Sequence, residues 1–247
     1  MNLRLHEVSQ RYPGREHPAL DRVSLELAPG QIIGIYGHGG AGKTTMLRIA
    51  AGRQAPSSGS VTYNGVALQE MSRSERTRHR RREIASVWAT EPSQERLSVL
   101  DHVAMRLLVD RRHYRSAERR AREALLACEA EQCVGMACEE LSDSQRQRVE
   151  IARALVSEPR LLVADGPTSR LSRIEGEAIM ALLCSVARKA GAAVLVADSD
   201  ADALVGADEI RYLHDGRLFN PAETQELGQL YRLPSAASRR PAAAADA

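Results

Sequence analysis

The sequence predicts an α/β fold in which a parallel sheet is flanked by helices. Apolar strand patterns alternate with helical patterns along most of the chain, which indicates βαβ units. A glycine-rich loop joins one of these strands to a helix, and an Asn-Gly pair marks an early hairpin. The chain has 247 residues, 43% of them hydrophobic and only 3% aromatic. Ala, Leu, Val and Ile must therefore form the core of one large domain or two small ones.

The first third of the chain is predicted to contain strands and a single helix. Its strands are rich in β-branched residues or alternate between apolar and polar positions, and Pro29-Gly30 makes the turn before the third. The helix runs from Lys43 to about Ala51, directly after the glycine-rich loop. A hairpin turns at Asn64-Gly65. We predict strands over residues 2–9, 22–27, 31–36, 60–63 and 66–68.

The middle of the chain, from Ser72 to about Glu140, has a mostly helical pattern. Its dense arginine runs are typical of solvated helix faces. Residues 234–247 contain almost no large apolar side chains, so we predict a disordered tail after a domain that covers residues 1–233. The later elements are a helix over residues 173–190 and strands over residues 161–164, 193–197, 209–213 and 217–218.

Composition excludes several classes of protein. Since 34 basic residues against 32 acidic ones leave a net charge of +2, the chain is not a polycation that binds nucleic acid with its whole surface. No apolar run reaches the roughly 18 residues of a membrane span, and no signal peptide opens the chain. We expect a soluble, cytoplasmic protein whose membrane role would need a partner. The cysteines lack zinc-site spacing and are predicted to be buried, inert thiols: Cys128, Cys133, Cys138 and Cys184.

A phosphate-binding loop follows the third predicted strand and opens the first helix. Its glycines let backbone N–H groups turn inward around phosphate oxygens, and the helix N-terminus adds the positive end of its dipole. The Lys43 ammonium would reach the β- and γ-phosphates, and the Thr44 hydroxyl would ligate Mg²⁺. The motif consists of Gly37, His38, Gly39, Gly40, Ala41, Gly42, Lys43 and Thr44.

A second magnesium ligand is predicted at Asp165. This aspartate follows the four apolar residues 161–164, so it lies at the end of a buried strand, where its carboxylate can share the cation with Thr44. The chain is therefore predicted to bind a nucleoside triphosphate together with Mg²⁺.

With two further motifs, the chain resembles the ATP-binding subunits of ABC transporters from residue 1 to about residue 220. Residues 141–155 (LSDSQRQRVEIARAL) are similar to the family signature, and residues 165–172 (DGPTSRLS) are similar to its DEPTSALD motif. Residues 97–125 are most similar to lipoprotein-releasing, macrolide-exporting and cell-division members. The resemblance implies a P-loop core of mixed sheet, an antiparallel β-subdomain, and a helical subdomain inserted at about residues 90–155.

The resemblance also implies binding roles and partners. Tyr12, in the segment RYPG, would stack on the adenine, and the phosphate cradle would extend to Thr45. Ser142 would contact the ATP of a second subunit, because two subunits of this family pair head to tail. Membrane permease subunits are the implied partners, with a coupling helix in the groove beside residues 89–98. The chain would then lie on the inner face of the membrane.

Several motif positions depart from the family pattern. Gly166 replaces the glutamate that polarises the attacking water, Ser199 replaces the histidine that contacts the γ-phosphate, and Ala89 replaces the Q-loop glutamine. Loss of a positioned base typically costs about 10²–10⁴ in rate. Asp143 would bring a carboxylate towards the partner's phosphates. The other substituted positions are Ser144 in the signature and Ser172 in the D-loop.

These departures leave three functions open. The first is a hydrolysis-impaired ATP-binding subunit that relays closure to a permease; a heterodimer with a competent second ABC ATPase is then favoured over a homodimer. The second is an ordinary hydrolysing ATPase, in which Gln94 or Glu91 replaces the glutamine and Asp198 or Asp200 the base. The third is a nucleotide-gated scaffold that regulates a membrane partner. None of the three has nucleic acid as a partner.

Overall fold

The computed structural model describes residues 2–88, 97–108 and 113–220, which form two sheets surrounded by helices. The strands are β1 (Leu3–Gln10), β2 (Leu20–Leu27), β3 (Ile32–Tyr36), β4 (Ser58–Tyr63), β5 (Val66–Ala67), β6 (Ile84–Trp88), β7 (Leu161–Asp165), β8 (Ala193–Asp198), β9 (Glu209–His214) and β10 (Arg217–Phe219). The helices are α1 (Lys43–Ala50), α2 (Arg73–Glu83), α3 (Val99–Leu108), α4 (Tyr114–Ala127), α5 (Asp143–Leu155) and α6 (Arg173–Lys189). Short 3₁₀ turns occupy Glu131–Cys133, Cys138–Glu140 and Asp202–Leu204.

The larger sheet has the strand order β10-β9-β3-β8-β7-β6 and confirms the predicted mixed α/β core. Its strands from β9 to β6 are parallel, and only β10 runs antiparallel at the edge. Parallel strands end at the same edge of a sheet, so the loops that follow β3, β8 and β7 are neighbours. In the register, Asp165 lies beside both Ala197 and Trp88 at this edge.

Both faces of this sheet are buried, which explains why its central strands are apolar without alternation. In β8, Val194 and Val196 pack into a cluster formed largely with the helices α3 to α6. The intervening Leu195 packs on the opposite face, in a cluster with α1 and the smaller sheet. Because side chains alternate between the two faces of a strand, those of β8 pack into two different cores, one on each side of the sheet.

The smaller sheet is antiparallel, with the order β2-β1-β4-β5. Its last two strands form the predicted hairpin, and the turn residues Asn64 and Gly65 have positive φ angles of 49° and 84°. Positive φ at both turn residues is the geometry that Asn-Gly favours. The Asn64 carboxamide oxygen also accepts a hydrogen bond of 2.8 Å from the Asn2 backbone N–H, which ties the turn to the start of β1.

Helices α3, α4 and α5 lie between β6 and β7 in the chain and pack against one another, as the fold class predicts. The segment predicted to be mostly helical, residues 72–140, is interrupted by β6, because the apolar run Ile84–Trp88 pairs with β7 and completes the sheet. The arginine-rich α2 contains no buried residue, in agreement with a solvated helix. Its N-terminus is closed by a capping box between Ser72 and Glu75.

All four cysteines are buried and free, as predicted. Burial raises the pKa of the Cys128 thiol to about 12, so this thiol stays protonated and unreactive near neutral pH. In the described ranges, no helix combines the length and hydrophobicity that a bilayer crossing needs. The predictions on Ala89, Glu91 and Gln94 and on the tail over residues 234–247 fall outside the described residues.

Candidate functional site

The phosphate-binding loop leaves the end of β3 and enters α1, and its backbone is packed against two neighbouring segments. A Cβ atom on Gly37 would lie 2.4 Å from the carbonyl oxygen of Leu213 in β9. A Cβ atom on Gly42 would lie 2.2 Å from the carbonyl oxygen of Ala19, and Gly42 has a φ of 107°. Both positions therefore require glycine for packing, and Gly42 requires it for its backbone conformation as well. The loop geometry is set by the fold before any ligand binds.

Lys43 lies across the loop. Its ammonium donates hydrogen bonds to the carbonyl oxygens of Gly37, at 2.5 Å, and His38, at 2.9 Å. Burial lowers the pKa of Lys43, whereas the nearby carboxylates of Asp165 and Asp198 act in the opposite direction. The positively charged Lys43 ammonium therefore lies at the opening of the loop, close to where the sequence predicts the β- and γ-phosphates.

Asp165 lies at the end of β7, directly opposite the start of α1. Its Oδ2 atom accepts a hydrogen bond of 2.7 Å from the Thr44 hydroxyl. Burial raises the pKa of Asp165, and this outweighs the Thr44 hydrogen bond and the positive charge of Lys43, which lower it. A hydroxyl oxygen and a carboxylate oxygen in contact are hard oxygen donors, which fits Mg²⁺ with its remaining positions filled by phosphate and water.

Asp198, at the end of β8, holds the next loop together. Only 2% of its surface is exposed. Its Oδ2 atom accepts a hydrogen bond of 2.7 Å from the Thr168 hydroxyl, and its Oδ1 atom accepts from the backbone N–H groups of Ser199, at 2.7 Å, and Asp200, at 3.2 Å. Because both carboxylate oxygens are already engaged, Asp198 is poorly placed to accept a proton from water.

Asp200 is the other sequence candidate for a substitute base. Its side chain is exposed, and its Oδ1 atom accepts a hydrogen bond of 3.0 Å from the backbone N–H of Asp202. Asp200 therefore presents a carboxylate to solvent on the loop after β8, whereas Asp198 is enclosed.

The substituted catalytic positions gather at the carboxyl edge of the larger sheet. Gly166 follows β7, with a φ of 59° and a 2.8 Å hydrogen bond from its N–H to the carbonyl of Ala197. Ser199 follows β8 and is exposed. Ala89 lies outside the described residues, but Trp88, immediately before it, pairs in register with the last residue of β7. The edge that holds the phosphate loop thus has short side chains at Gly166 and Ser199.

Tyr12 lies beside the first turns of α1. Its hydroxyl is 3.4 Å from the Thr45 hydroxyl and shares hydrogen bonds of 3.0–3.1 Å with the carboxamide of Gln54. The ring is half-buried. The structure therefore brings Tyr12 next to the end of the phosphate-binding motif, 33 residues away in sequence.

The signature segment begins α5 with a capping box. The Ser142 hydroxyl accepts a hydrogen bond of 3.2 Å from the Gln145 N–H, and the Gln145 carboxamide accepts one of 3.0 Å from the Ser142 N–H. Asp143 is exposed in the first turn. A carboxylate at this position stabilises the helix through its dipole but competes with any phosphate that approaches the same helix end.

Ser172, at the position of the D-loop aspartate, caps α6 in the same way. Its N–H and hydroxyl both donate to the Glu175 carboxylate, at 3.0 Å and 2.6 Å. The Glu175 N–H donates back to the Ser172 hydroxyl. A local structural role therefore accounts for this serine.

Sequence reasoning gave no role to two residues that the structure places in the site. Thr168 lies within the quoted DGPTSRLS motif, and its buried hydroxyl holds Asp198. Gln54 holds Tyr12 from a loop after α1, and 42 residues separate the two. Because Thr168 belongs to a recognisable loop motif, the sequence could have indicated a structural role for it. No residue near Gln54 in the sequence indicates that Gln54 contacts Tyr12.

Comparisons with known proteins agree with this geometry. A family profile described as ABC transporter matches residues 20–169. The lipoprotein-releasing system ATP-binding protein LolD of Bordetella pertussis (strain Tohama I) is 36% identical over 205 residues, covering 81% of this chain and 86% of the relative. LolD of Buchnera aphidicola subsp. Schizaphis graminum is 30% identical over 201 residues, covering 81% and 88%.

Similar solved structures are also ABC transporter cassettes. The dimeric structure of a bacterial ABC transporter cassette superposes with a TM-score of 0.80 at 32% identity, covering 87% of this chain and 96% of that one. A dimeric post-hydrolysis state of the same cassette, bound to ADP and Pi, also gives 0.80, at 31% identity and with 88% and 98% coverage.

Proposed function

Since this chain belongs to the ABC transporter family as one of its ATP-binding subunits, we propose that it binds Mg-ATP and hydrolyses it slowly or not at all. One observation carries the proposal: a complete phosphate-binding loop shares its sheet edge with Gly166 and Ser199, where the resemblance implies glutamate and histidine. Binding needs the loop, and hydrolysis needs the side chains that this edge lacks.

The loop residues have distinct roles in the proposed complex. Backbone N–H groups from Gly37 to Thr45 hold the phosphates, and Tyr12 stacks on the base. Lys43 exchanges its two loop carbonyls for phosphate oxygens, which are stronger acceptors because they are charged. Thr44 and Asp165, which share a hydrogen bond here, would hold Mg²⁺, and the cation would supply positive charge that neutralises the phosphates.

Slow hydrolysis follows from what surrounds the γ-phosphate. Gly166 offers no base, and Ser199 offers a short neutral hydroxyl where an imidazole would stabilise charge. Asp198 is enclosed by its three hydrogen bonds. A missing base alone costs about 10²–10⁴ in rate, and a missing electrostatic contact about as much again.

The competing function is ordinary hydrolysis with Asp200 as the base. It is favoured by one observation, the exposed Asp200 carboxylate on the loop after β8. We favour slow hydrolysis because, even if Asp200 acted as the base, the histidine that the resemblance implies in place of Ser199 would still be missing.

We further propose that the chain works as part of a membrane complex. The relatives are named as components of lipoprotein-releasing systems, and the similar solved cassette is dimeric. In a head-to-tail pair, each ATP lies between one phosphate loop and the other subunit's signature, including Ser142. Permease subunits would hold the chain on the inner face of the membrane. A competent second ATPase would supply the missing glutamate and histidine at one of the two sites, so we favour a heterodimer over a homodimer.

Nucleotide binding and hydrolysis are tested separately on the full chain. Saturation with Mg-ATP at 100-fold over Kd should stabilise the fold by about 2.7 kcal/mol, measured by thermal unfolding. Under the same conditions, release of phosphate in single-turnover experiments should stay close to that of Lys43→Ala. A wild-type chain that does not respond to Mg-ATP contradicts the binding proposal. Rapid hydrolysis that is lost in Asp200→Asn supports the competing function.

Assembly is tested by co-expression with any permease and ATPase genes that are encoded beside this one. Native mass spectrometry of the purified complex should give one copy of this chain with one second ATPase. Two copies of this chain and no other ATPase would contradict the heterodimer and leave nucleotide binding unaffected.

A further inference from the structure

Helix α2 carries a dense positive charge on a surface that the nucleotide site does not use. Six of its 11 residues are arginine and two are glutamate. None of its residues is buried, and all of its arginines except Arg76 are exposed. Four arginines and two hydroxyl residues line one depression in two neighbouring rows of i, i+4, i+8 spacing: Arg73, Thr77 and Arg81 in one row, and Ser74, Arg78 and Arg82 in the other. We call this surface the α2 arginine face.

The other side of α2 faces the protein. The His79 ring lies 4.8 Å, between ring centroids, from the Tyr63 ring in β4. Burial lowers the pKa of His79, so this packed side adds no positive charge near neutral pH. With 100° between successive helical residues, the α2 arginine face lies on the side turned away from the smaller sheet.

The two acidic residues of α2 are engaged elsewhere. The Glu75 carboxylate accepts a hydrogen bond of 2.8 Å from the Ser72 backbone N–H in the capping box. The Glu83 carboxylate pairs with Arg160, just before β7, at 3.2 Å. Within the described residues, the four arginines of the α2 arginine face make no ion pair. Their positive charge therefore remains available to an external anion.

The arginines of α4 show the usual alternative. Three of them pair with glutamates: Arg119 with Glu123, Arg120 with Glu158 and Arg122 with Glu118. Opposite charges at i, i+4 stabilise a helix, whereas like charges at that spacing, such as Arg78 and Arg82, destabilise it. Arg73 is also the first residue of α2, where the helix dipole disfavours a cation. The stability of α2 therefore does not account for its arginines, and an anionic surface beside them would relieve their repulsion.

An anionic bilayer surface fits this face better than a protein does. Protein interfaces place apolar residues at their centre and few charges there, and the described residues that line the face include no apolar side chain. Attraction to anionic headgroups needs only clustered basic side chains near the surface, and guanidinium groups pair with phosphate in a bidentate geometry. A helix of this length is about 16 Å long, so one side of it can lie along a bilayer.

We propose that the α2 arginine face contacts the anionic lipid headgroups of the membrane on which the complex lies. This chain would then touch the bilayer itself, in addition to its attachment through the permease. The proposal rests on the proposed function, because the permease is what brings the chain to the inner face of the membrane. The lipid contact would add to the retention of the chain there and would orient α2 along the membrane surface.

The test uses the full chain and two kinds of sedimenting vesicle. One is phosphatidylcholine with about 30 mol% phosphatidylglycerol, and the other is phosphatidylcholine alone. In about 50 mM NaCl, partition into the anionic vesicles should be at least tenfold stronger than into the neutral ones. Raising NaCl to about 300 mM should remove most of this difference, because salt screens exposed charges.

Two matched triple variants provide the critical comparison. Attraction to an anionic surface corresponds to about a fivefold change in partition per basic residue, so three residues that do not all reach the lipid at once still give at least tenfold. The variant of the face should lose that much, and the control on α4, which removes the same charge from ion-paired arginines, should lose less than threefold. The face variant is Arg73→Gln with Arg78→Gln and Arg82→Gln, and the control is Arg119→Gln with Arg120→Gln and Arg122→Gln.

A second variant keeps the test decisive if the first disturbs folding. Arg78→Gln with Arg82→Gln removes an i, i+4 repulsion, so it favours the helix, and it should still weaken partition at least threefold. Replacing the same two residues by lysine keeps the charge and should restore partition to within about twofold of wild type.

Three results would overturn the proposal. They are equal partition into the two kinds of vesicle, equal effects of the two triple variants, and binding to polyglutamate or duplex RNA that is tighter than binding to the anionic vesicles. The Mg-ATP thermal shift is measured on the same samples. A normal shift without vesicle binding overturns only the lipid contact, whereas vesicle binding without a shift overturns only the nucleotide-binding proposal.

Discussion

The phosphate-binding loop and the loops after β7 and β8 share one edge of the sheet, yet they depend on the fold in different ways. In the phosphate loop, Gly37 and Gly42 are pressed against backbone carbonyls of other segments, so the residues that shape the ligand site also hold the structure. At the ends of β7 and β8, Gly166 and Ser199 are held through their backbone N–H groups. The Ser199 N–H contact does not depend on which side chain is present, whereas the φ of 59° at Gly166 favours glycine.

This difference explains how a chain can keep the phosphate-binding loop beside a sheet edge that carries Gly166 and Ser199. A substitution at Gly37 or Gly42 changes packing and is costly to stability. A substitution at Ser199 changes chemistry with a smaller effect on packing, because the Ser199 side chain is exposed. Five substitutions test this contrast, in order of expected size.

The largest effect is expected for Gly42→Ala. The added Cβ would collide with the Ala19 carbonyl, at 2.2 Å, and a left-handed backbone would be forced on alanine. We expect a loss of about 3 kcal/mol in the free energy of unfolding, measured by urea denaturation without nucleotide. The control is Gly39→Ala, whose Cβ would meet nothing within 4 Å. Equal stability of the two variants would contradict the conclusion that packing requires glycine at position 42.

Lys43→Ala should remove most of the roughly 2.7 kcal/mol that saturating Mg-ATP adds to stability. For a chain of this size, that corresponds to a lost thermal shift of roughly 5–10 °C. Lys189→Ala removes the other lysine of the chain, at the exposed end of α6, and should keep the full shift. A full shift in Lys43→Ala would show that the ammonium does not contact the nucleotide.

Thr168→Val tests a side-chain contact between the loop after β7 and Asp198 at the end of β8. Loss of the hydroxyl would leave the buried Asp198 Oδ2 atom without its 2.7 Å donor. We expect a cost of about 2 kcal/mol in urea denaturation. Thr77→Val, which deletes an exposed hydroxyl bonded to the Arg73 carbonyl on α2, should change stability by less than about 0.5 kcal/mol.

Gly166→Glu should cost about 1 kcal/mol in stability, because glutamate disfavours a φ of 59°. Its hydrolysis rate should rise less than tenfold, since Ser199 and Ala89 still leave water and γ-phosphate poorly held. Gly166→Gln carries the same strain without a base and gives the reference rate. Turnover at the level of an ordinary transporter in Gly166→Glu would refute the importance of the other two positions.

The smallest effect is expected for Asp165→Asn without nucleotide. Burial raises the folded pKa of Asp165, so the folded state binds the proton more tightly than the unfolded state. The resulting cost to stability is present above the folded pKa and disappears below the unfolded one. Asp165→Asn should therefore be more stable than wild type at pH 7, by less than about 1 kcal/mol, and the difference should vanish in acid.

A pH series of melting temperatures measures this difference, with the exposed Asp202→Asn as control. The same variant should lose the additional stabilisation that Mg²⁺ gives to bound ATP. An Asp165→Asn variant that is less stable than wild type at pH 7 would contradict the direction of the pKa shift.

The predicted elements match the structure because their signals are local. The glycine spacing of the phosphate loop, the Asn64-Gly65 turn and the apolar run ending at Asp165 each depend on neighbours within a few residues. The strand β6 is less evident within its arginine-rich surroundings. Its four apolar residues and one serine are compatible with a helix or a strand until β7 pairs with them.

The sequence by itself predicted the α/β fold class, the glycine-rich loop between β3 and α1, and the two oxygens that fit Mg²⁺, because secondary structure and motif spacing follow from short-range patterns. Only the tertiary structure decided that Asp198 is enclosed by Thr168, that Gln54 holds Tyr12, and that Glu83 pairs with Arg160 and not with the arginines of α2. Such contacts join side chains that are tens of residues apart. They exist only after the sheet has fixed the distances between its loops, and no local spacing encodes those distances.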